Sequence, residues 1–433
     1  MYKNIPVIAL FLLTSVGLSA QDVLSLDQAT EITLANNYGI LVAKNNVLVA
    51  ENNTERRANG YLPRVSANAG LNSSLGGSHQ SFSTGLEAST SNAFTWGGNA
   101  SVGANYTLYD KRRSLTMDQL RESLNLSNLQ LRQTIEANLL QVYAAYYQLA
   151  QLAENTAALE EALSISRERL RRAEYQQEYG QGSGLNVLNA QVDIQRDSVN
   201  LLTTRQLYAN AQRNLNVLMG RTTTTAFQVD TTLQYEQGLD LGTLLSEAKD
   251  KNVTAQLSRQ SRSVNELNLQ LIDAENVPTV TAGASYGFNY SDNPDQAFIT
   301  SSDSRSLAAN VGLSWTIFDG TKKVRRQNAL LNLGNLSLQL EQVEQELERN
   351  LINAWENYQN ALFILNVERA ATATNRENFD RTQAQLSVGQ LGSLEFRQAQ
   401  LNLLNAQVNL NNAKYTAKLR ELELLQLAGR LME

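Results

Sequence analysis

The sequence predicts a mainly α-helical protein with a transmembrane β-barrel part, built from a two-fold internal repeat with four β-strands per chain. Three observations lead to this fold class. The chain of 433 residues repeats itself once at a nearly constant spacing. Two long segments without proline have the length of coiled-coil helices. Four shorter segments alternate between apolar and polar residues, which is the pattern of half-buried strands.

The composition excludes several classes of function. A net charge of -6 disfavours nucleic acid as a partner, because phosphate binding requires basic patches. The chain has no cysteine, so disulfides, zinc–thiolate sites and cysteine nucleophiles are excluded. Only four prolines occur, and this scarcity permits very long helices, because an internal proline costs about 3 kcal/mol.

Residues 1–20 have the pattern of a secretory signal peptide. Lys3 supplies the positive start, Val7 to Leu13 form the apolar core, and Ala20 precedes the expected cleavage site. The apolar run is short for a transmembrane anchor. We therefore expect an exported protein without a membrane-spanning helix.

An internal repeat organises the chain. Matching residues recur 209 positions apart, at Tyr109 and Phe318, Gly180 and Gly389, and Gly220 and Gly429. Upstream the spacing becomes 215, at Asn37 and Asn252 and at Pro63 and Pro278. The predicted divisions are a signal peptide, a first repeat, a linker and a second repeat, at residues 1–20, 21–221, 222–240 and 241–433. Each repeat would contain a helix, two strands, a long helix and a shorter helix.

The four alternating segments predict strands at about 62–76, 93–109, 277–290 and 306–318. Each strand has one apolar face and one face of Ser, Thr, Asn and Gly, which suits a wall between lipid and a water-filled lumen. Aromatic residues cluster near the strand ends, as in membrane interfaces: Tyr106, Tyr109, Trp315 and Phe318 at one end, and Phe94 and Trp96 at the other. The alternative reading of the strands alone is a soluble β-sandwich. Segments 76–93, with His79, and 291–306 are expected to be exposed loops.

The helices are predicted to be long. Residues 111–179 contain neither proline nor glycine, and such a helix would be about 100 Å long. The shorter helices would cover about 24–60 and 185–218, and the hairpins 111–220 and 320–429. A heptad spacing predicts a packing seam through Leu185, Val192 and Val199 and their copies Leu394, Leu401 and Val408.

Four strands cannot close a barrel, and within lipid every strand edge must be paired. Two copies would give eight strands and a lumen filled by side chains, whereas three copies would give twelve strands and room for a channel. The strand count therefore requires an oligomer and favours a homotrimer.

The chain resembles the TolC-type outer-membrane factor family over nearly its whole mature length. The resemblance is carried by "SLDQATEITLANN", by the strand ends "YTLYDKRRS" and "WTIFDGTKK", and by the hairpin turns "YGQGSGLNVLNAQ" and "VGQLGSLEFRQAQ". It implies a trimer with a 12-stranded β-barrel in outer-membrane lipid and a periplasmic α-helical barrel. It also implies docking to a periplasmic membrane-fusion adaptor and an inner-membrane pump of the RND, ABC or MFS class.

The resemblance also assigns candidate site residues. The hairpin tips that would contact the adaptor contain Gly180, Gly182, Leu185, Gly389, Gly392 and Leu394. The family often carries acidic rings beyond the second tip that close the periplasmic entrance. Glu395 matches one such position and Gln398 the next, with Asn186 and Asn189 as first-repeat equivalents. Because three of the four are uncharged, the gate is expected to be less acidic than in relatives. By the same resemblance, the linker 222–240 is an equatorial segment around the helices.

Residues that could support catalysis are sparse. The only histidine lacks evident partners for a triad or a metal site, and no GxxxxGK[ST] motif occurs. We therefore expect no enzyme activity, no cofactor and no metal. The predicted function is a passive outer-membrane conduit of a tripartite efflux or type I secretion system. The alternative is a soluble periplasmic coiled-coil scaffold.

Overall fold

A computed structural model describes residues 23–294 and 299–432. The signal peptide predicted at 1–20 lies outside these residues. The elements in chain order are β1 (Val23–Leu24), α1 (Leu26–Asn36), α2 (Tyr38–Asn53), β2 (Arg64–Ser81), β3 (Glu87–Tyr109), α3 (Lys111–Glu178), α4 (Gly184–Leu218), β4 (Gln228–Val229), α5 (Leu241–Lys251), α6 (Val253–Asp273), β5 (Thr279–Asp292), β6 (Ser301–Ser314), α7 (Gly320–Ser387) and α8 (Ser393–Ala428). Among the described helices, none contains the run of apolar residues that a transmembrane helix requires.

The helix boundaries confirm the internal repeat. Both ends of α3 and α7 are 209 residues apart, and each of these helices has 68 residues. Both ends of α1 and α5 are 215 residues apart, as are the first residues of β2 and β5. Each long helix is preceded by an aspartate, as the sequence predicts for an N-cap. The amide of Arg112 donates to Asp110 Oδ1 and that of Thr321 to Asp319 Oδ1, each at 2.9 Å.

The single helix predicted at about 24–60 is wrong, because it breaks at Asn37 and ends at Asn53. Asn37 has an extended backbone, and its Oδ1 accepts from the amide of Ile40 at 3.1 Å. Asn252, its repeat partner, caps α6 in the same way through the amides of Thr254 and Ala255. An asparagine whose side chain satisfies free amides favours a new helix start over a continuous helix.

The four long strands form one antiparallel sheet in the order β2–β3–β5–β6. The expected loop 76–93 is wrong, because β2 and β3 remain paired as far as Ser81 and Glu87. His79 therefore lies in a strand, opposite Ser89. Only Phe82 to Leu86 form the turn, in which the amide of Phe82 donates to the carbonyl of Leu86 at 2.8 Å.

The β-hairpin formed by β5 and β6 also differs from the predicted strand and loop boundaries. The expected loop 291–306 is shorter, because β5 reaches Asp292 and β6 begins at Ser301; residues 295–298 lie outside the described part. The strand predicted at 306–318 ends at Ser314, which pairs with Thr279. Pro278 precedes Thr279 and has no N–H to extend the ladder, so pairing stops there.

The described residues form two compact units that each take segments from both repeats. The helical unit comprises residues 23–41, 134–248 and 349–432, and the sheet unit comprises residues 42–133 and 249–348 without the gap. The helical unit has a core of aromatic and aliphatic side chains that includes Tyr146, Leu149, Leu215, Phe227 and Tyr415. In the sheet unit, the strands are covered on neither face by a layer of helices, and most of their residues are exposed.

The heptad seam predicted on α4 is wrong for the single chain. Leu185, Val192 and Val199 are 64%, 61% and 62% exposed. The buried row of α4 contains Ala190 and Asp197 instead, two positions before Val192 and Val199. Two positions correspond to about 200° around a helix, so the predicted seam lies on nearly the opposite face.

Candidate functional site

The four-stranded sheet formed by β2, β3, β5 and β6 has two chemically different faces. Its register aligns apolar residues in rows across all four strands, such as Ala67, Val102, Tyr286 and Leu307. The rows of the opposite face are polar, such as Asn68, Ser101, Gly287 and Ser306. Within the apolar rows, Leu307 is 81% exposed and Val311 73%. An apolar face of this extent is expected to contact lipid or a partner, because water-exposed apolar patches of this size are rare.

Both ends of the apolar face carry aromatic residues. Trp96 on β3 lies opposite Asp292 on β5, and its indole N–H donates to the carboxylate of Asp292 at 2.8 Å. The centre of the Trp96 ring lies 5.2 Å from that of Tyr290. Phe94 lies two residues earlier on β3 and is 56% exposed. Aromatic rings with a polar partner at the rim of an apolar band are typical of membrane–water interfaces.

At the other end of the sheet, next to the helices, the aromatic residues predicted from the sequence are Tyr106, Tyr109, Trp315 and Phe318. Tyr109 is half exposed, and Trp315 and Phe318 follow the end of β6 and are both exposed. The indole of Trp315 donates to the carbonyl of Asn276 at 2.9 Å. The guanidinium of Arg113 lies 5.9 Å from the ring of Tyr106.

The outer edges of β2 and β6 have no strand partner among the described residues. A lipid-facing sheet cannot leave such edges unpaired, since free N–H and C=O groups are costly in hydrocarbon. The sheet is therefore incomplete as a membrane wall and can be completed only by further strands.

The second candidate site lies at the turns that join the long and short helices. Gly180 and Gly389 have φ of +71° and +76°, a conformation that favours glycine. At Gly182, an added Cβ would lie 2.9 Å from Gln176 Cβ, so the first turn is also packed too closely for a larger residue. Leu185 and Leu394 are exposed beside these turns, as a contact surface would require.

All four residues predicted for the gate line one cavity of about 590 Å³, which we call the tip cleft. Asn186 and Asn189 come from the first turns of α4, and Glu395 and Gln398 from the first turns of α8. Glu395 is the third residue of α8 and is exposed, and its carboxylate lies against Gly392, the N-cap. A carboxylate in the first turn also stabilises the helix dipole, so Glu395 has a structural role there.

A largely buried set of polar side chains, part of which lines the tip cleft, was missed by sequence reasoning. We call it the tip ion cluster: Ser166 and Arg169 of α3, Asp193 and Asp197 of α4, and Arg397 and Gln400 of α8. Arg397 binds both oxygens of Asp197, at 2.8 and 2.7 Å. Ser166 donates to Asp197 at 2.6 Å, and Gln400 donates to the carbonyl of Ala162 at 2.8 Å. The cluster thus joins three helices near the two turns.

The repeat contained a signal for this cluster. The first-repeat equivalent of Arg397 is Leu188, and the second-repeat equivalent of Asp197 is Ala406. Asp197 thus occurs only in the first repeat and Arg397 only in the second, and the other repeat has an apolar residue at each position. Opposite charges placed in this way indicate a specific contact between the two repeats. Comparison of the repeats position by position could therefore have found this pair.

The linker 222–240 is bound to the helical core by polar contacts. The hydroxyl of Tyr146 donates to the carbonyl of Leu24 at 2.9 Å and accepts from the amide of Asp230 at 3.1 Å. Tyr235 donates to the carbonyl of Lys414, and Lys418 to that of Gln234. Burial raises the pKa of both Tyr146 and Tyr235 to about 12. These phenols stay protonated at neutral pH and act as hydrogen-bond donors.

Among the described residues, no group of three or more His, Cys, Asp or Glu could hold a metal ion. A two-faced antiparallel sheet with free edges, on a chain with 68-residue helices, instead defines the class of outer-membrane channel subunits with a helical extension.

The comparison with known families agrees with this class. The family described as "Outer membrane efflux protein" matches residues 30–221 and 244–430, and the chain belongs to this family. It is therefore an outer-membrane efflux channel that extends into the periplasm. The family is one of channel proteins and not of enzymes. The match disfavours the alternative of a soluble periplasmic scaffold.

Individual relatives are distant in sequence and close in fold. Outer membrane protein TolC of Vibrio cholerae is 20% identical over 345 residues, which cover 77% of each chain. The CmeC outer membrane channel of Campylobacter jejuni has a TM-score of 0.71 at 15% identity, covering 94% of this chain and 86% of its own. The open-state MtrE outer membrane channel of Neisseria gonorrhoeae has a TM-score of 0.70 at 16% identity, covering 94% and 89%.

Proposed function

We propose that three copies of this chain form the outer-membrane conduit of a tripartite efflux or type I secretion system. The other components would be a periplasmic membrane-fusion adaptor and an inner-membrane pump of the RND, ABC or MFS class. The conduit would be passive, with the energy for export supplied by the pump. The mature chain would begin after residue 20, with repeats at 21–221 and 241–433 and an equatorial linker at 222–240.

The observation that carries this proposal is the two-faced sheet with two free edges. Four strands per chain cannot close a barrel, and pairing β6 of one copy with β2 of the next would use both free edges. Three copies would give twelve strands and a lumen wide enough for water and cargo. The polar rows of Ser, Asn and Gly would line that lumen, and the apolar rows would face lipid.

The dimensions also support the proposal. On β3 the apolar side chains of this face extend from Trp96 to Tyr109, and with strands tilted by about 40° this length crosses roughly 30 Å, which is close to the hydrocarbon thickness of a bilayer. On β6 the same face is apolar only from Leu307 to Leu313, because Asp303 and Arg305 lie on it opposite Tyr290 and Phe288. The helices α3 and α7, about 100 Å long each, would supply the periplasmic part.

The tips would perform the two periplasmic tasks. Leu185 and Leu394 are exposed beside the glycine turns and would contact the adaptor. The tip cleft would become part of the periplasmic entrance, where a ring of three Glu395 side chains would attract cations. Since Gln398, Asn186 and Asn189 are uncharged, this ring would be the main acidic element of the gate.

The mass of the detergent-purified complex and its conductance test this proposal together. We expect the mass of three protomers by native mass spectrometry, and discrete single-channel steps when the same material is added to a planar bilayer. A stable detergent-free monomer, or a trimer without conductance, would contradict it. The chain has no cysteine, so pairs of cysteines introduced on β2 and β6 would form disulfides between protomers only if those edges meet.

A further inference from the structure

The start of each long helix carries an unusual set of charges. Lys111, Arg112 and Arg113 open α3, and Lys322, Lys323, Arg325 and Arg326 lie in the first two turns of α7. Neither first turn contains an acidic residue. Cations are unfavourable there, because the N-terminus of a helix carries partial positive charge. A local arrangement that opposes helix stability indicates a compensating anion or a function.

Nearby carboxylates compensate only part of this charge. Arg325 pairs with Glu275 and Asp319, at 2.6 and 2.9 Å, and Arg326 pairs with Asp273 at 2.8 Å. Arg112 pairs with Asp110 at 3.3 Å. These pairs use the acidic residues adjacent to the two helix starts.

The remaining cations have no carboxylate partner within the described residues. Arg113 donates to the carbonyls of Gly60 and Thr107, and Lys322 to that of Asp273 at 3.0 Å. Lys111 and Lys323 are exposed and form no ion pair with a described carboxylate. Each helix start therefore presents at least one free ammonium group to its surroundings.

Exposed apolar side chains accompany these lysines at the same end of the sheet. Ile317 and Phe318 are 80% and 88% exposed and precede Lys322 and Lys323 by a few residues. Tyr109, on the apolar face of β3, precedes Lys111. Aromatic and aliphatic side chains followed by lysines are typical of the level where acyl chains meet headgroups.

We propose that Lys111, Lys322 and Lys323 form a cationic belt that binds the phosphate groups of anionic phospholipids in the periplasmic leaflet of the outer membrane. This inference rests on the proposed membrane-spanning role of the sheet. The helix side of the sheet is its periplasmic end, and the phospholipids there offer phosphates at the depth of the lysines. The charge that would strain each helix start is then neutralised by lipid, and the belt fixes the depth of the barrel in the bilayer.

Fluorescence quenching of Trp315 can test this directly, because that residue lies next to the belt. The chain has three tryptophans, so a Trp96→Phe/Trp355→Phe background leaves Trp315 as the only emitter. The full-length protein is reconstituted into mixed bilayers of phosphatidylethanolamine and phosphatidylglycerol. Bromine is placed on the acyl chains of one lipid or the other, and the quenching ratio reports which lipid is enriched near Trp315.

We expect brominated phosphatidylglycerol to quench more than brominated phosphatidylethanolamine, with a preference that weakens in high salt. Lys111→Gln/Lys323→Gln should reduce the preference by up to about fivefold for each lysine removed. Lys111→Arg/Lys323→Arg should retain it. Arg167→Gln/Arg172→Gln, which removes the same charge from the far part of α3, should leave it unchanged.

Equal quenching by the two lipids in the unmodified belt would overturn the inference while leaving the spanning sheet intact. An unchanged preference in Lys111→Gln/Lys323→Gln would also overturn it. Absence of quenching by either lipid would mean that Trp315 does not approach the bilayer, and would contradict the proposed function itself. Native gels of each variant establish that the complex is still assembled.

Discussion

Arg397 of α8 and Asp197 of α4 form a buried bidentate ion pair, in which two guanidinium nitrogens lie 2.8 and 2.7 Å from the two carboxylate oxygens. The side chains are 7% and 3% exposed. Such planar pairs are the strongest hydrogen-bonded ion pairs in proteins, but burying both charges is costly. We expect the pair to act mainly through specificity, because it joins the second helical hairpin to the first near both tips.

Removal of one partner should therefore be much more harmful than removal of both. We expect Arg397→Leu alone to destabilise the helical unit by about 3–5 kcal/mol, since Asp197 is left buried without a counter-charge. Arg397→Leu/Asp197→Ala inserts the residues of the opposite repeat at both positions and should recover most of that loss. Thermal unfolding of the helices, followed by circular dichroism in detergent, measures the differences.

A surface pair provides the control for this cycle. Arg420 and Glu423 are 44% and 43% exposed and lie 2.7 Å apart on α8. Arg420→Ala should change stability by less than about 1 kcal/mol. If Arg397→Leu/Asp197→Ala had the same low unfolding temperature as Arg397→Leu, the two residues would not act as a coupled pair.

The sequence allows prediction of the elements whose signal is local. Repeat spacing and absence of proline predict both long helices almost to the residue, and Asp110 and Asp319 mark their starts. Alternation predicts the apolar rows of the sheet. The extension of β2 and β3 to Ser81 and Glu87 could not be predicted in this way, because the residues between 76 and 92 lack apolar alternation.

Polar contacts between residues far apart in the chain could not be predicted from the sequence either. Heptad logic expects apolar residues in a helical seam, and so it selected Val192 and Val199, whereas the buried face of α4 contains a charged residue, Asp197. The candidate gate residues were predicted through resemblance to a family and not through periodicity. Their convergence on one tip cleft depends on how α4 and α8 start, which the local sequence does not determine.

The phenol of Tyr146 leads to a prediction about alkaline stability. Burial raises its pKa from 10.0 to about 12, so the folded chain keeps the proton that the unfolded chain loses. The stabilisation is therefore fully present below about pH 10 and is lost as the pH rises toward about 12. Tyr146→Phe should lower stability near neutral pH by about 1–3 kcal/mol through two lost hydrogen bonds, and should reduce the slope of the alkaline loss.

This prediction is tested by measuring the unfolding midpoints of the unmodified protein and of Tyr146→Phe between about pH 8 and pH 12. Tyr175→Phe serves as the matched control, because Tyr175 is 57% exposed and should follow the unmodified protein. Buried Tyr147, Tyr358 and Tyr415 also have raised pKa values, so only part of the slope should disappear. An identical alkaline slope in Tyr146→Phe would rule out its contribution.

The tip cleft predicts a change in ion selectivity. Glu395→Ala should lower the ratio of cation to anion permeability in planar bilayers, because it would remove a ring of three carboxylates from the proposed entrance. Glu395→Gln should have the same effect while keeping the volume of the side chain. Glu377→Ala, an exposed residue of α7 paired with Arg381, should leave selectivity unchanged. Equal ratios in all four proteins would remove Glu395 from the gate.

The turn glycines predict which substitutions the adaptor contact tolerates. Nothing lies within 4 Å of a Cβ added at Gly389, so the restriction there is its φ of +76° and not a lack of space. Gly389→Val should distort the turn, whereas Gly389→Asn should be tolerated, since asparagine adopts this conformation readily. A photo-crosslinking residue at Gln390 should capture a membrane-fusion adaptor, identified by mass spectrometry, from the unmodified and Asn forms only. Capture by the Val form at normal yield would refute the assignment of the tip.

The two faces of the sheet can be distinguished by one pair of neighbouring residues. Val311 lies on the apolar face of β6, toward the helices, and pairs with Ala282, while Asn310 pairs with Gly283 on the polar face. Val311→Arg should destabilise the membrane-inserted protein by about 1–2 kcal/mol, because it would place a charge in the hydrocarbon near its boundary. Asn310→Arg adds the same charge to the water-filled side and should assemble normally. Urea unfolding in lipid vesicles and the yield of trimer in outer-membrane fractions measure both effects. If Asn310→Arg were the more damaging of the two, the polar rows and not the apolar rows would have to face the lipid.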